Sequence, residues 1–212
     1  MPFRSLKYLA MMALLSTQSY AGSLGIEVLG PDGQPVPDVA IYVTYATPGV
    51  AGRPGTAVMD QVDTKFVPHI LVVQKGTAVE FPNSDTIAHH VYSFSKPNNF
   101  VLPLYKGDKH DPVKFDYDGI VTLGCNIHDH MLAYIVVVDT PTFGVTDEAG
   151  RADVTVNDTW GQATVHIWSP RIRDELLSRA VVSGSSTVTY ALEKRLRPTH
   201  DSGSEAVQWS EY

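Results

Sequence analysis

The chain of 212 residues holds a single cysteine, in the run Gly124-Cys125-Asn126-Ile127-His128-Asp129-His130-Met131. A soft thiolate, an imidazole and a thioether are thereby offered within seven residues. Copper favours that mixture, because thiolate and thioether suit the cuprous state and imidazole suits both oxidation states. The run falls between two strand-like stretches, so it is expected to form a loop at one end of a β-scaffold, with three donors around one point. A fourth donor has to come from elsewhere. The stretch Asn83-Ser84-Asp85-Thr86-Ile87-Ala88-His89-His90-Val91 offers one, since it ends with two adjacent histidines entering a strand. Neighbours on a strand point to opposite faces, so only one of His89 and His90 can easily face the loop. Alternation by itself leaves open which.

Other chemistries fit less well. Zinc also accepts cysteine and histidine, but it gains little from a thioether at Met131. A binuclear copper centre needs a second, bridging cysteine. Cys–His hydrolase chemistry needs a base oriented by a third group, and no such residue is evident. There is no phosphate-cradling glycine loop and no zinc-protease helix motif. His69 lies in an apolar strand and reads as structural. His110, in Gly107-Asp108-Lys109-His110-Asp111, reads as solvent-exposed, and His166 and His200 are far from the motif in sequence.

The elements that must position these residues are strands. Val, Thr, Ile, Tyr and Gly are plentiful and no long stretch shows helical periodicity, so an all-β fold is expected. Met1 to Ala21 reads as a secretory leader, with Arg4 and Lys7 before the apolar run Tyr8 to Leu15, and Ser19 and Ala21 at a cleavage site. That run is far below the roughly 20 residues a membrane span needs. Export to the periplasm follows as the expectation. In an oxidising compartment one cysteine can form no internal disulfide, and a free thiol is a liability unless something occupies it. A buried cysteine can also be a plain small core residue. Without Arg4 and Lys7 the formal charge of −7 becomes about −9. A chain this acidic is repelled by nucleic acid and anionic lipid, so neither is an expected partner, and no later segment is apolar enough to span a membrane.

Along the chain, LGIEVL leads through the turn Pro31-Asp32-Gly33 to a second strand, VAIYVT, and Pro48 to Thr56 reads as a loop. Six or seven short strands are expected between Asp60 and Asp139. They include ILVV, TAVEF, HHVYSFS, VKFDY, IVTLGC and LAYIVVVD, with turns at Lys75-Gly76 and Asp118-Gly119. Beyond Phe143 come a hairpin turning at Ala149-Gly150, then ATVHIWS and STVTYALEK, then a polar tail that Trp209 could dock.

With these residues in view, the chain resembles the type 1 copper proteins, the plastocyanin- and amicyanin-like cupredoxins, over about Val58 to Asp139. Cys125, His128 and Met131 match the Cys-x-x-His-x-x-Met loop of the amicyanin-like members. Ala88-His89-His90-Val91 is similar to the upstream Pro-His-Asn-Val of that family. The resemblance implies one copper ion per chain, with His89 and His128 equatorial, Cys125 the thiolate and Met131 axial. It implies a cupredoxin Greek-key β-sandwich with no enzymatic activity, in which His128 beside Met131 and Leu132 serves as the electron port. It puts His90 where an asparagine usually ties the ligand loops together, and leaves His130 as an extra imidazole.

The flanks, LGIEVLGPDGQPVPDVAIYVT and VTDEAGRADVTVNDTWGQATVHIWSP, resemble the two halves of a carboxypeptidase regulatory-like domain, a small immunoglobulin-like sandwich. The expected organisation is a leader at 1–21, the first part of that domain at 22–54, the cupredoxin module inserted at 55–140, the second part at 141–195 and the tail at 196–212. Whole proteins so arranged are labelled methylamine utilization protein-like. The function implied is one-electron transfer to or from a redox partner protein. The alternative is periplasmic copper sequestration, tolerance or delivery. Neither the partner nor the oligomeric state leaves a mark in the sequence.

Overall fold

The computed structural model of the protein describes residues 21–46, 52–107, 110–157, 161–174, 176–182 and 184–199. The expected leader, apart from Ala21, and the end of the tail with Trp209 and His200 lie outside the described residues. The all-β expectation is met: the described residues hold seventeen strands and no helix. In chain order these are β1 (Ala21–Leu29), β2 (Ala40–Tyr45), β3 (Thr56–Val58), β4 (Asp60–Val62), β5 (Lys65–Val67) and β6 (Ile70–Gln74). They continue with β7 (Ala78–Glu80), β8 (Tyr92–Ser93), β9 (Phe100–Val101), β10 (Val113–Lys114), β11 (Gly119–Gly124) and β12 (Leu132–Val138). The last are β13 (Phe143–Val145), β14 (Arg151–Asn157), β15 (Gln162–Trp168), β16 (Leu177–Val182) and β17 (Thr187–Ala191).

Strands from the two ends of the chain pair with each other. One sheet has the order β14-β1-β17 and another β13-β2-β15-β16. Alternate side chains of these strands, among them Leu24, Ile26, Ile41, Val43, Val154, Val165 and Ile167, meet in one buried core. The central strands make two further sheets, β10-β7-β3 and β6-β12-β11-β8-β9, while β4 and β5 form a separate hairpin. Their core holds Val79, Phe115, Val121, Leu123, Ile135 and Val137, and it also takes in Cys125 and Met131.

The run LAYIVVV is apolar without alternation because β12 is covered on both faces, as strands inside layered sheets are. Ala133, Ile135 and Val137 face the central core. Val136 and Val138 face the other way, where with Ile70 and Val72 of β6 they pack on Ala40, Tyr42, Phe143 and Trp168. That third cluster joins the outer face of the central sheet to the outer face of the β2 sheet.

Two expectations need correction, and one strand was not anticipated. Ala149-Gly150 does form a turn, with the Gly150 N–H donating to Asp147 O at 2.8 Å. The strands on either side do not form a hairpin, because β13 pairs with β2 and β14 with β1. Phe143 and Val145 are needed in the third cluster, whereas Val154 and Val156 cover the terminal core from its opposite side. Nine strands, not six or seven, lie between Asp60 and Asp139, several only two or three residues long. Finally, β16 escapes a reading by periodicity, because it is an edge strand that buries only Val181.

Candidate metal centre

β11 runs antiparallel between β12 and β8, with Gly124 opposite both Leu132 and Tyr92. Glycine lets the Tyr92 ring lie close here, since a Cβ on Gly124 would stand 2.9 Å from the end of that side chain. The chain leaves the sheet at Cys125, which is buried. It turns through His128, whose carbonyl accepts the Met131 N–H at 2.9 Å, and Met131 returns to the core at 2% exposure. His89 sits on an extended segment pinned by reciprocal backbone hydrogen bonds with Tyr105 at 2.9 and 3.0 Å. Its side chain is wholly buried.

These two placements bring one donor atom each of His89, Cys125 and His128 within 4.8 Å of one another. The Nδ1 atoms of His89 and His128 are 3.1 Å apart, and Cys125 Sγ is 3.7 Å from His128 Nδ1. Two nitrogens about 2.0–2.1 Å and a sulfur about 2.3 Å from one ion stand about 3.3 and 3.6 Å apart at tetrahedral angles. The residues present therefore fit a shared metal ion, and their softness suits copper.

The next layer out orients His89. Asp85 Oδ2 lies 2.7 Å from His89 Nε2. The Thr64 N–H first, and then the His89 imidazole, hold the Asp85 carboxyl below its ordinary value. An ionised carboxylate only accepts, so Nε2 is the donor there, and Nδ1 is the ring nitrogen that faces the cluster. Asp85 is itself placed by an Asx turn, its N–H donating to Asn83 Oδ1 at 3.0 Å. Asn83 Nδ2 donates to the carbonyls of Ile87 and Tyr105, both at 3.0 Å. Beneath lies Tyr105, whose hydroxyl donates to Phe81 O at 2.6 Å and accepts from Gln61 Nε2 at 2.5 Å. Burial pushes the Tyr105 phenol up to about 12.

Of the sequence candidates, His89, Cys125 and His128 come together, and Met131 is buried in the same core as Cys125. His90 stays outside the cluster; its ring tilts against Tyr92 and its buried Nδ1 has no hydrogen-bond partner among the described residues. His130 also stays outside, exposed, with Nε2 3.1 Å from Thr64 Oγ1. His69 is structural, with Nδ1 3.1 Å from Leu132 O and its ring edge-on to Tyr134. The expectation of a solvent-exposed His110 needs correction: its ring packs edge-on against Tyr105 at 4.5 Å, and its Nε2 is buried. His166 stacks on Tyr42 far along the chain, and burial lowers its pKa. The apolar rim differs from expectation as well. Met131 is buried and Leu132 half-buried, while the exposed apolar side chains of the two donor loops are Ile87 and Ile127.

Sequence reasoning missed Asp85, Tyr105, Gln61 and Thr64. Asp85 left a signal, an acid four residues before a candidate ligand in an Asn-x-Asp turn. The others left none, since their partners are 21 to 66 residues away in the chain.

No protein-family model matches the chain, and no curated protein does. Among solved structures it is similar to a purple cupredoxin from Nitrosopumilus maritimus, at 20% identity over 39% of this chain and 99% of that one, with a TM-score of 0.34. It is similar to a reduced Cu(I) form of an amicyanin mutant at pH 4, at 21% identity over 46% of this chain and 99% of that one, TM-score 0.37. It is also similar to the copper-containing nitrite reductase of Thermus scotoductus SA-01, at 23% identity over 52% of this chain and 28% of that one, TM-score 0.37.

Proposed function

We propose that the chain binds one copper ion through His89, Cys125, His128 and Met131 and acts as an exported, periplasmic one-electron carrier without catalysis of its own. The observation that carries this reading is the convergence of two imidazole nitrogens and the only thiol on one buried point. Copper so bound would supply a single-electron couple. The chain's own contribution is to hold the donors still, so that little has to move when the charge changes. Cys125 is fixed where β11 ends, His89 by Tyr105 and Asp85, and His128 by the tight turn into Met131. His128, half-buried beside the exposed Ile127, is the route by which an electron would leave. The unit that carries the site is proposed to be residues 55–140, inserted into a carboxypeptidase regulatory-like domain made of 22–54 and 141–195. The pairing of β1 with β14 and β17 supports that reading.

Optical and electron paramagnetic resonance spectra of the copper-loaded full chain test the proposal. Cys125→Ala should abolish the thiolate-to-copper absorption, and Met131→Leu should keep it. An unchanged visible spectrum in Cys125→Ala would reject the assignment. Copper sequestration or delivery is the alternative, favoured by the exposed His130 beside His128. Fast reversible reduction of the bound ion argues for a carrier, and facile exchange of the ion argues for handling.

A further inference from the structure

The turn between β4 and β5 reaches both loops that carry the candidate donors. Its residues Asp63 and Thr64 have φ of 50° and 57°. This is the left-handed conformation that glycine- or asparagine-containing pairs fill most easily in a two-residue hairpin. A β-branched residue held there is an outlier. Thr64 is thus a poor residue for the turn it occupies, and the reason for it has to lie outside the hairpin.

Its contacts supply one. The N–H groups of Asp63 and Thr64 donate to the two oxygens of Asp85 at 3.1 and 2.8 Å. Asp85 in turn accepts the Nε2–H of His89. On the other side, the Thr64 hydroxyl donates its proton to Asp63 O at 2.7 Å. Towards His130 Nε2, 3.1 Å away, it can therefore only accept, which makes His130 the donor. His130 stands between His128 and Met131 in the chain. One turn so grips the segment leading to His89 and the segment leading out of His128. The base of the hairpin is anchored to the same loop, for Asp60 accepts from the Ser84 N–H at 3.2 Å and the Ser84 hydroxyl at 2.7 Å.

We propose that Thr64 is a positioning residue and the Asp63–Thr64 turn a strap that fastens both donor-bearing loops to one hairpin, holding the cluster closed against loss of its metal. What the strap retains rests on the copper reading. The strap itself is a property of the metal-free chain and can be measured there.

The test uses the full chain with Thr64→Val, which removes the hydroxyl and keeps the shape, Thr64→Gly, which relieves the turn, and Thr64→Ser, which restores the hydroxyl. The first measurement is the rate at which excess of a cuprous chelator strips Cu(I). Outer-layer partners of metal ligands typically matter about 10–100-fold, so the valine and glycine variants should release copper about 10-fold faster, with serine close to wild type. A merely structural turn residue predicts the opposite for glycine, a chain at least as heat-stable that keeps its copper as well as wild type. The second measurement is nitrogen NMR of the metal-free chains. His130 should be the Nε2–H tautomer in wild type and Thr64→Ser, and should mix tautomers in Thr64→Val. Wild-type release rates in both the valine and glycine variants overturn the proposal, as does an unchanged His130 tautomer in Thr64→Val. If the wild-type chain takes up no copper, the copper reading falls, and the tautomer measurement alone decides the strap.

Discussion

At the scale of single residues, the site is a problem of lone pairs. Three donors are useful only if each presents an unprotonated atom to the same point. For His89 that depends on Asp85, which accepts a hydrogen bond from Nε2–H and so directs Nδ1 at the cluster. The same pairing makes a statement about stability. The folded pKa of Asp85 lies below the ordinary 3.8. Its contribution is therefore fully present above that value and is lost as pH falls through the lowered one. Denaturant melts of the metal-free chain between neutral pH and pH 3 should show Asp85→Asn less stable than wild type near neutrality. The gap should close on acidification through the region below the ordinary 3.8. A gap that stays constant over that range would show that the carboxylate charge plays no part. The sequence displayed Cys125, His128 and Met131 by type and spacing, and His89 only as one of a pair that resemblance resolved. It displayed Asp85 only as a turn residue, because the contact that gives it a role is not an element of regular structure.

At the scale of elements, glycine positions show how turns decide which sheet a strand joins. Gly33 and Gly150 have φ of 75° and 68°. Nothing stands within 4 Å of a Cβ built on Gly33, whereas one on Gly150 would lie 2.6 Å from Val28 O and 2.9 Å from Val36 N. Both substitutions by alanine carry the left-handed backbone cost of about 1–2 kcal/mol. Gly150→Ala adds a collision with main chain that no side-chain rotamer relieves. Thermal unfolding should place Gly33→Ala a few degrees below wild type and Gly150→Ala well below that; equal midpoints would mean that the turn moves freely. The turn at Gly150 was legible as a turn. That it carries the chain across a core, not back along the same sheet, was not, because a tight turn looks alike in both uses. The short strands β3, β4, β5 and β9 were hidden for a related reason, since two or three residues are too few to show a period.

At the scale of the whole molecule, two cores are joined through a third cluster. Ile70, Val72, Val136 and Val138 lie on the outer face of the central sheets and are covered by strands from the chain ends. If the central unit is an insertion, residues 55–141 expressed alone should fold and give the copper spectrum of the full chain, while exposing that apolar face. Such a face favours self-association. Replacing Val72 and Val136 by threonine should reduce the association and leave the spectrum unchanged. A fragment that is unfolded with both replacements would count against an independent unit.

The sequence by itself determined the class of fold, through β-branched strands punctuated by turn residues, and the donor types, through one thiol, one imidazole and one thioether within a single short run and a histidine pair in a second, separate stretch. These are local properties, and local patterns carry them. Strand alternation left His89 and His90 equal, and resemblance alone favoured His89. Only the tertiary structure shows His89 turned inward, which strands share a sheet, and that the β4–β5 turn, Asp85 and Tyr105 surround the cluster. Those facts depend on which distant backbone groups find each other once the layers pack, and no spacing along the chain encodes that.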